Sequence, residues 1–355
     1  MLNEIRKRFH HYHALFISNP VNVYYLTGFT GSRGLILITE NNAYFFTDFR
    51  YIEYAKKSIP KDFTVVQINK KWKEDWPGLL KKYHIKSLGI EENYLTYSQF
   101  LNLRKISKGV RLKKSKQIIE QLRKIKSERE RNYLKKSQTI NEQLFHRVKK
   151  FLSEGVTEQE VQRFMLHNLH TVGAEDFSFK PIVAFGDHSA VPHHQNNSRK
   201  LHKGDVVLID MGVKYKSYCS DMTRTLFTAP PTPQQKEVYQ TVLDAQQEAI
   251  KRLRNGASIA RVRNAAMRTI KKAGYEEYFQ HALGHGTGLE IHELPNLGTQ
   301  KPTKLKENMI TTIEPGIYLP KNFGVRIEDM VIITGAGHLN ITKAPKELND
   351  VIIEL

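Results

Sequence analysis

Hydrophobic and polar positions alternate in short stretches over the first 125 residues. The apolar runs GLILI and AYFFT, at residues 34–38 and 43–47, flank a polar Glu-Asn-Asn segment and predict a β-hairpin. An amphipathic helix is predicted from Asp48, and further strands near residues 65–68 and 88–90. This mixture of strands and helices is typical of a small α/β domain.

A basic stretch without proline or glycine follows at residues 113–126 and predicts a connecting helix or an ordered linker. Ser127 and Glu130 then have the spacing of a capping box, which predicts the start of a helix. Apolar residues recur at helical spacing after it. We expect this helix to end at Gly155.

The rest of the chain mixes further helices with many strands. Thr157 and Glu160 form a second capping-box pattern and predict the next helix. From Pro181 onward short apolar runs predict a strand-rich region, interrupted by helices near residues 234–255 and 258–273. The second part of the chain is therefore predicted to combine helices and sheets.

Length and cysteine content limit the class of protein. A chain of 355 residues is long enough for two domains, which we place at residues 1–125 and 126–355. The one cysteine, Cys219, excludes an intrachain disulfide. The first residues are charged where a signal peptide would be apolar, and no run is long enough to span a membrane. We therefore expect a soluble, cytoplasmic protein without a membrane partner.

The formal net charge of +19 raises the question of a nucleic-acid partner. Residues 101–150 hold 17 Lys and Arg against 4 Asp and Glu. These charges are interleaved with apolar residues at helical spacings, which indicates solvated helix faces. No aromatic platform or groove-reading motif accompanies them. A basic RNA-binding module without enzymatic activity is therefore the remote alternative, and we expect no nucleic-acid partner.

Candidate chemistry is concentrated in the second half of the chain, in the motifs LIDMG, YCSDMTRT, GHGTG, IEPG and VRIED. Four carboxylates and one imidazole cannot share a dry pocket unless their charge is compensated. Two divalent cations would compensate it, so the motifs predict a dinuclear metal site and a metal-dependent hydrolase. The five residues are Asp210, Asp221, His285, Glu314 and Glu328.

Local patterns support these positions. Asp210 ends a buried strand and Asp221 precedes another, so a hairpin could bring both carboxylates to one ion. Glu314 stands before Pro-Gly, which ends a strand and could leave its carboxylate facing a cavity. In VRIEDMV, strand alternation places Arg326 and Glu328 on the same face.

Histidines add to this group. His285 lies between Gly284 and Gly286, where we expect the missing side chains to admit an ion or substrate. His281 and His292 flank it, and His193, in AVPHH, indicates an active-site loop. Their occurrence together with four acids favours a functional role over a structural one.

In order and spacing these motifs resemble the creatinase/prolidase metallopeptidase family across essentially the whole chain. The segments NVYYLTGFTGS and FFTDFRY resemble the N-terminal domain of aminopeptidase P and prolidase, which methionine aminopeptidases lack. A metal-free, creatinase-like amidinohydrolase is disfavoured, because that branch loses metal ligands and this chain retains all five. One departure is His188, where the family more often has asparagine.

The resemblance implies an α/β N-terminal domain followed by an α+β "pita-bread" catalytic domain, a mainly antiparallel sheet flanked by helices. It implies that Asp210 chelates one ion, that His285 and Glu314 bind the second, and that Asp221 and Glu328 bridge both. The oxygen-rich ligand set suits Mn²⁺, with Co²⁺ or Zn²⁺ as alternatives, and disfavours a thiolate-type site.

The resemblance also implies hydrolysis of the bond between an N-terminal residue and a following proline. Glu314 would act as general base and then acid, and His292 and His193 would hydrogen-bond the substrate carbonyl. Arg326 would orient Glu328 or relay a proton, and His281 would lie on the substrate side. We expect an Xaa-Pro aminopeptidase acting on proline-containing peptides, with a prolidase that cleaves Xaa-Pro dipeptides as the alternative. A homodimer or higher homo-oligomer is expected by analogy.

Overall fold

The structure is a computed structural model that describes residues 1–9, 11–69, 71–298 and 303–355. Contacts divide the chain into two units, Met1–Arg123 and Lys124–Leu355. In the first unit the helices are α1 (Leu2–Arg6), α2 (Pro20–Thr27), α3 (Ile52–Ser58), α4 (Trp72–Lys82), α5 (Tyr97–Ile106) and α6 (Ile118–Arg123). Its strands are β1 (Ala14–Ile17), β2 (Leu35–Thr39), β3 (Ala43–Thr47), β4 (Thr64–Gln67), β5 (Ser87–Ile90) and β6 (Arg111–Lys114).

These strands form one mixed sheet in the order β4-β3-β2-β1-β5-β6. Strands β1 to β3 are antiparallel, and the outer strands join in parallel. Alternation along β1 shows why both faces are covered, because successive side chains point to opposite sides. Leu15 and Ile17 belong to one apolar cluster, and Ala14 and Phe16 to another. Helices therefore bury both faces of the sheet.

Several predictions for this unit are confirmed and two boundaries differ. Strands β2 and β3 form the predicted hairpin, with Ile38 opposite Ala43. Helix α3 starts at Ile52 instead of Asp48, because the Asp48 carboxylate accepts the amide of Arg50 and closes a turn first. The predicted linker is partly a strand, since β6 extends to Lys114 and pairs with β5.

The helices of the second unit are α7 (Glu128–Phe151), α8 (Glu158–Asn168), α9 (Pro233–Ile250) and α10 (Ile259–Lys272). Its strands are β7 (Asp176–Phe177), β8 (Ile182–Phe185), β9 (Val206–Met211), β10 (Val213–Tyr215), β11 (Tyr218–Cys219), β12 (Met222–Phe227), β13 (His285–Gly286), β14 (Glu293–Asn296), β15 (Ile310–Ile313), β16 (Gly316–Leu319), β17 (Phe323–Arg326), β18 (Asp329–Ile333) and β19 (His338–Asn340).

The strands of this unit pair antiparallel throughout the described residues. They form sheets in the orders β11-β10-β7, β12-β9-β8, β14-β13-β15-β18-β19 and β16-β17. One apolar cluster contains residues of both the long helices and the inner strands, among them Leu144 of α7, Val242 of α9 and Ile209 of β9. The antiparallel sheets with flanking helices confirm the predicted fold class.

Both capping boxes occur where the sequence predicts them. Ser127 and Glu130 start α7, and Thr157 and Glu160 start α8. Helix α7 ends at Phe151, four residues before the predicted Gly155, which instead adopts a positive φ of 85° in the following turn. Among the described residues, none of the helices is both long and apolar enough to cross a bilayer.

Candidate metal centre

The hairpin of β9 and β12 carries the first two predicted ligands. Asp210 lies near the end of β9, opposite Thr223 of β12, and Asp221 directly precedes β12. Antiparallel pairing brings the end of one strand to the start of the other. The predicted approach of these two aspartates therefore follows from the register.

The other predicted ligands come from neighbouring strand ends. Glu314 follows β15 directly, as predicted, and His285 begins β13, which pairs with β15. The prediction that Arg326 and Glu328 lie on one strand is wrong, because β17 ends at Arg326 and β18 begins at Asp329. Both side chains nevertheless reach the same side of the site, since each contacts the hydroxyl of Thr223.

Distances show that these groups converge. The Nε2 atom of His285 lies 3.5 Å from Oδ2 of Asp221 and 3.4 Å from Oε1 of Glu314. Asp221, His285 and Glu328 each offer one ligand atom within 4.8 Å of the other two. Four of the five predicted ligands thus meet directly, and they come from separate parts of the chain.

Arg326 connects the remaining ligand to this group. Its Nη2 donates to Oδ2 of Asp210 at 2.6 Å, and its Nε donates to the Thr223 hydroxyl at 3.0 Å. That hydroxyl donates to Oε2 of Glu328 at 2.8 Å. One buried guanidinium therefore fixes the orientation of two carboxylates, Asp210 directly and Glu328 through Thr223.

The same guanidinium begins a second hydrogen-bond chain. Arg326 Nη1 donates to the Tyr318 hydroxyl at 2.8 Å, and this hydroxyl lies 3.1 Å from Nε2 of His281. The Nδ1 atom of His281 lies 2.8 Å from the carbonyl of Ala282. A neutral His281 that donates from Nδ1 and accepts from Tyr318 satisfies every atom of the chain. Burial and the nearby Arg326 lower the pKa of His281 to about 4, which favours this neutral form.

Burial together with like charge disfavours ionised carboxyls in this group. The pKa of Glu314 is raised to about 7, chiefly by burial; Arg326 opposes this rise and Asp210 adds to it. The pKa of Asp221 is raised well above its ordinary value by burial and then by Glu328 and Asp210. Burial followed by Glu314 raises the pKa of Glu328 in the same way. Without added cations, ionising all of these carboxyl groups at the same time therefore costs folding free energy.

The residues fit divalent cations. Oδ1 of Asp210 and Oε1 of Glu328 are buried and have no hydrogen-bond partner among the described residues. An unsatisfied buried carboxylate oxygen is costly unless it ligates a cation. One arginine faces four carboxylates, so positive charge is still lacking. Oxygen ligands with a single imidazole suit divalent ions of the Mn²⁺ and Co²⁺ class.

Two further predicted histidines lie beside the carboxylate group. The ring centroids of His285 and His292 are 4.3 Å apart. Burial and then His292 lower the pKa of His285 to about 4, and burial and then His193 lower the pKa of His292. Neutral imidazoles are the form that binds metals and accepts protons. His193 is exposed on a turn.

The glycines beside His285 have a different role from the predicted one. A Cβ atom at Gly284 would clash with the carbonyl of Thr312, and one at Gly286 with the carbonyl of Leu294. These glycines therefore admit the neighbouring strands β15 and β14 and not a ligand. The close strand contact holds the backbone of His285 in place, and its amide donates to Thr312 Oγ1 at 3.1 Å.

Sequence reasoning missed two residues of this centre. Thr223 stands two residues after Asp221 in the DMT motif, and strand alternation could have suggested that it faces the same way. Tyr318 lies on β16, among apolar residues with no motif to mark it. Its contact with Arg326 depends on the β16–β17 pairing and has no signal in the sequence.

Comparison with known proteins agrees with this geometry. The model of "Metallopeptidase family M24" matches residues 132–335, and that of the "Creatinase/Prolidase N-terminal domain" matches residues 6–125. A relative named Xaa-Pro dipeptidase, from Pyrococcus horikoshii, is 38% identical over 338 residues, which cover 94% of each chain.

Solved structures are equally similar. The Xaa-Pro dipeptidase from Bacillus anthracis superposes with a TM-score of 0.95 at 36% identity and covers 99% of both chains. The X-Pro aminopeptidase from Thermotoga maritima has a TM-score of 0.88 at 33% identity, over 96% of this chain and 98% of its own. The resemblance inferred from the motifs is confirmed. This chain belongs to metallopeptidase family M24 and begins with a Creatinase/Prolidase N-terminal domain.

Proposed function

We propose that this metallopeptidase hydrolyses the peptide bond between an N-terminal residue and a following proline. The observation that carries the proposal is the buried convergence of carboxylates and one imidazole, with two carboxylate oxygens that lack hydrogen-bond partners. The names of similar proteins at 33 to 38% identity support the proline specificity. The peptide bond before proline is a tertiary amide without an N–H. A site that makes no hydrogen bond to the N–H of the scissile bond can therefore accept it.

Two divalent cations are proposed for the centre, with Mn²⁺ first and Co²⁺ or Zn²⁺ as alternatives. When bound, such ions lower the pKa of a water molecule and polarise a carbonyl oxygen. The proposed ligands are Asp210, Asp221, His285, Glu314 and Glu328. Arg326 is a positioning residue in this proposal, because its hydrogen bonds orient Asp210 and, through Thr223, Glu328.

Proton transfer is assigned to Glu314. Its Oε1 accepts a hydrogen bond from the Thr312 hydroxyl at 3.2 Å and lies 3.4 Å from Nε2 of His285. As general base it would accept a proton from water and then, as general acid, return it to the leaving proline nitrogen. His292 and His193 are proposed to hydrogen-bond the substrate carbonyl as it gains negative charge. His281 is proposed to support the substrate side through Tyr318.

Substrate length separates the two activities within this proposal. Motif reasoning favours an aminopeptidase that accepts longer peptides. The relatives at 38% identity from two Pyrococcus species are named Xaa-Pro dipeptidases, and this observation favours dipeptides. We therefore propose that Xaa-Pro dipeptides are the preferred substrates and that longer Xaa-Pro peptides are the alternative.

The test is a peptidase assay after chelation and re-addition of Mn²⁺, Co²⁺ or Zn²⁺ one at a time. We expect release of the first residue from an Xaa-Pro dipeptide, little from the matching Xaa-Ala dipeptide, and at least about tenfold lower kcat/KM for an Xaa-Pro pentapeptide. Asp221→Asn should abolish turnover, whereas exposed Glu307→Gln should not. Equal rates for the proline and alanine dipeptides would refute the proposed specificity. A faster pentapeptide would establish the aminopeptidase.

The remaining expectations concern organisation. We propose that residues 1–125 and 126–355 are the N-terminal and catalytic domains, and that the protein is a cytoplasmic homodimer or higher homo-oligomer. Light scattering during gel filtration tests the assembly. A mass near 41.2 kDa would indicate a monomer and contradict this part of the proposal.

A further inference from the structure

A second group of possible metal ligands lies outside the dinuclear centre. Glu158 is the first residue of α8, His188 belongs to the 3-10 helix Gly186–Ala190, and His194 follows in the next turn. We propose that Glu158, His188 and His194 bind one additional divalent ion of the Zn²⁺ class. None of these residues takes part in the proposed peptidase chemistry.

The ligand atoms have the required spacing. Nδ1 of His188 lies 2.8 Å from Oε1 of Glu158, and Nε2 of His194 lies 2.7 Å from Oε2. One ligand atom from each residue lies within 4.8 Å of the other two. Donors of a tetrahedral zinc ion, at about 2.0 Å from the metal, are about 3.3 Å apart. Small movements of the two rings therefore make room for the ion.

The carboxylate is held in place before any ion binds. Glu158 is fully buried, and each of its oxygens also accepts a backbone amide. Phe185 donates to Oε1 and Asn197 donates to Oε2, both at 3.0 Å. These bonds orient the carboxylate and leave one lone-pair direction on each oxygen toward the imidazoles. Pre-organisation of this kind reduces the cost of binding.

Charge also favours a cation here. Among the described residues, the hydrogen-bond donors to Glu158 are two backbone amides and two imidazoles. When both imidazoles are neutral, a full negative charge stays buried without a cationic partner, which is costly. A divalent ion between the carboxylate and the rings would neutralise it.

The donor set indicates the class of ion. Two imidazole nitrogens and one carboxylate oxygen suit Zn²⁺ and similar transition metals, whereas Mg²⁺ and Ca²⁺ prefer oxygen alone. The side chain of His188 is 27% exposed, so an ion can enter and a water molecule can complete its coordination. An ion held here would tie the start of α8 to the segment that carries His193.

His188→Asn supplies a matched control for this site. Asparagine can still donate an N–H to Glu158 and preserve the hydrogen bond, but its amide is a poor zinc ligand. His188→Asn therefore removes metal binding without leaving the carboxylate unsatisfied.

The experiment counts zinc per chain after equilibration with Zn²⁺ and gel filtration, in wild type and His188→Asn. It repeats the comparison in an Asp221→Asn background. We expect His188→Asn to lower the count by one in both backgrounds, with at least about 100-fold weaker binding of that ion. The change in zinc count caused by Asp221→Asn reports on the dinuclear centre, and the change caused by His188→Asn reports on the new site. The two proposals can therefore fail independently.

Equal counts with and without His188→Asn would overturn the proposal. Anomalous diffraction at the zinc edge from wild-type crystals provides a second measurement that needs no variant. A peak between Glu158, His188 and His194 supports the site, and its absence at a zinc concentration that fills the dinuclear centre refutes it.

Discussion

Neutralising one carboxylate of the metal centre should stabilise the metal-free protein at high pH. In the folded state, burial raises the pKa of Glu314 from its ordinary value of 4.5 to about 7. The folded chain therefore binds this proton more tightly than the unfolded chain. Ionisation of Glu314 therefore lowers the free energy of unfolding. This loss is absent below pH 4.5, grows as the pH rises, and is complete above pH 7.

The size of the effect follows from the shift. One pKa unit corresponds to about 1.4 kcal/mol, so the shift of Glu314 costs about 3 kcal/mol of unfolding free energy above pH 7. Glu314→Gln keeps the shape of the side chain and removes this ionisation. Relative to wild type, the chelated variant should gain about 2 kcal/mol in unfolding free energy between pH 5 and pH 8, since part of the cost is already present at pH 5.

Urea denaturation in the presence of a chelator measures this difference. The wild type and Glu314→Gln are compared at pH 5 and pH 8, with exposed Glu307→Gln as the control that should track the wild type. Both proteins contain the other carboxyl groups, so the contribution of those groups to the pH dependence cancels when the two are compared. If the difference between wild type and Glu314→Gln changes by less than about 0.5 kcal/mol over this range, the carboxylates are not crowded in a dry site.

Added metal should reverse the order of stability. A cation bound to the folded state at 100 times its Kd stabilises it by about 2.7 kcal/mol, and Glu314 is one of its proposed ligands. Saturating Mn²⁺ should therefore raise the melting temperature of the wild type more than that of Glu314→Gln. An equal rise in both proteins would exclude Glu314 as a ligand.

Three further substitutions test other parts of the structure. Tyr318→Phe breaks the link from Arg326 to His281 and should lower kcat about tenfold with little change in KM; an unchanged kcat would show that the link is dispensable. Leu144→Ala empties a fully buried position and should cost about 3 kcal/mol in urea denaturation, and a loss below about 1 kcal/mol would contradict tight packing. Thr157→Ala removes a helix cap and should cost about 1 kcal/mol, seen as a melting temperature lower by about 3 °C.

Features that depend on neighbours in sequence could be predicted from sequence. The capping boxes at Ser127 and Thr157 bond residues three apart, so their recognition needs no knowledge of the fold. The β2–β3 hairpin was equally local. Strand β6 extends to Lys114 because it pairs with β5, a segment distant in sequence. Helix α7 ends at Phe151, before the glycine that the sequence suggested as its end.

Some features of the metal centre could likewise be predicted from the sequence, and others depended on the fold. Motif composition predicted that the carboxylates and His285 form one group and that this group needs cations, because buried like charges need compensation wherever they meet. Strand alternation in VRIED gave the correct side for Arg326 and Glu328 for the wrong reason, since a strand break separates them. Their common contact with Thr223 comes from the neighbouring strand β12.

The kinds of side chain, their order and their local spacing could be read from the chain alone, and they were enough to identify the metallopeptidase family. The contact of Arg326 with Asp210 and the meeting of Glu158 with His188 and His194 could not be read there, because these groups are 30 or more residues apart. Folding brings such groups together through sheet register and helix packing. A sequence pattern does not contain the spatial distance between residues that are far apart in the chain. The hydrogen-bond networks and the second ligand group therefore become visible only in the folded structure.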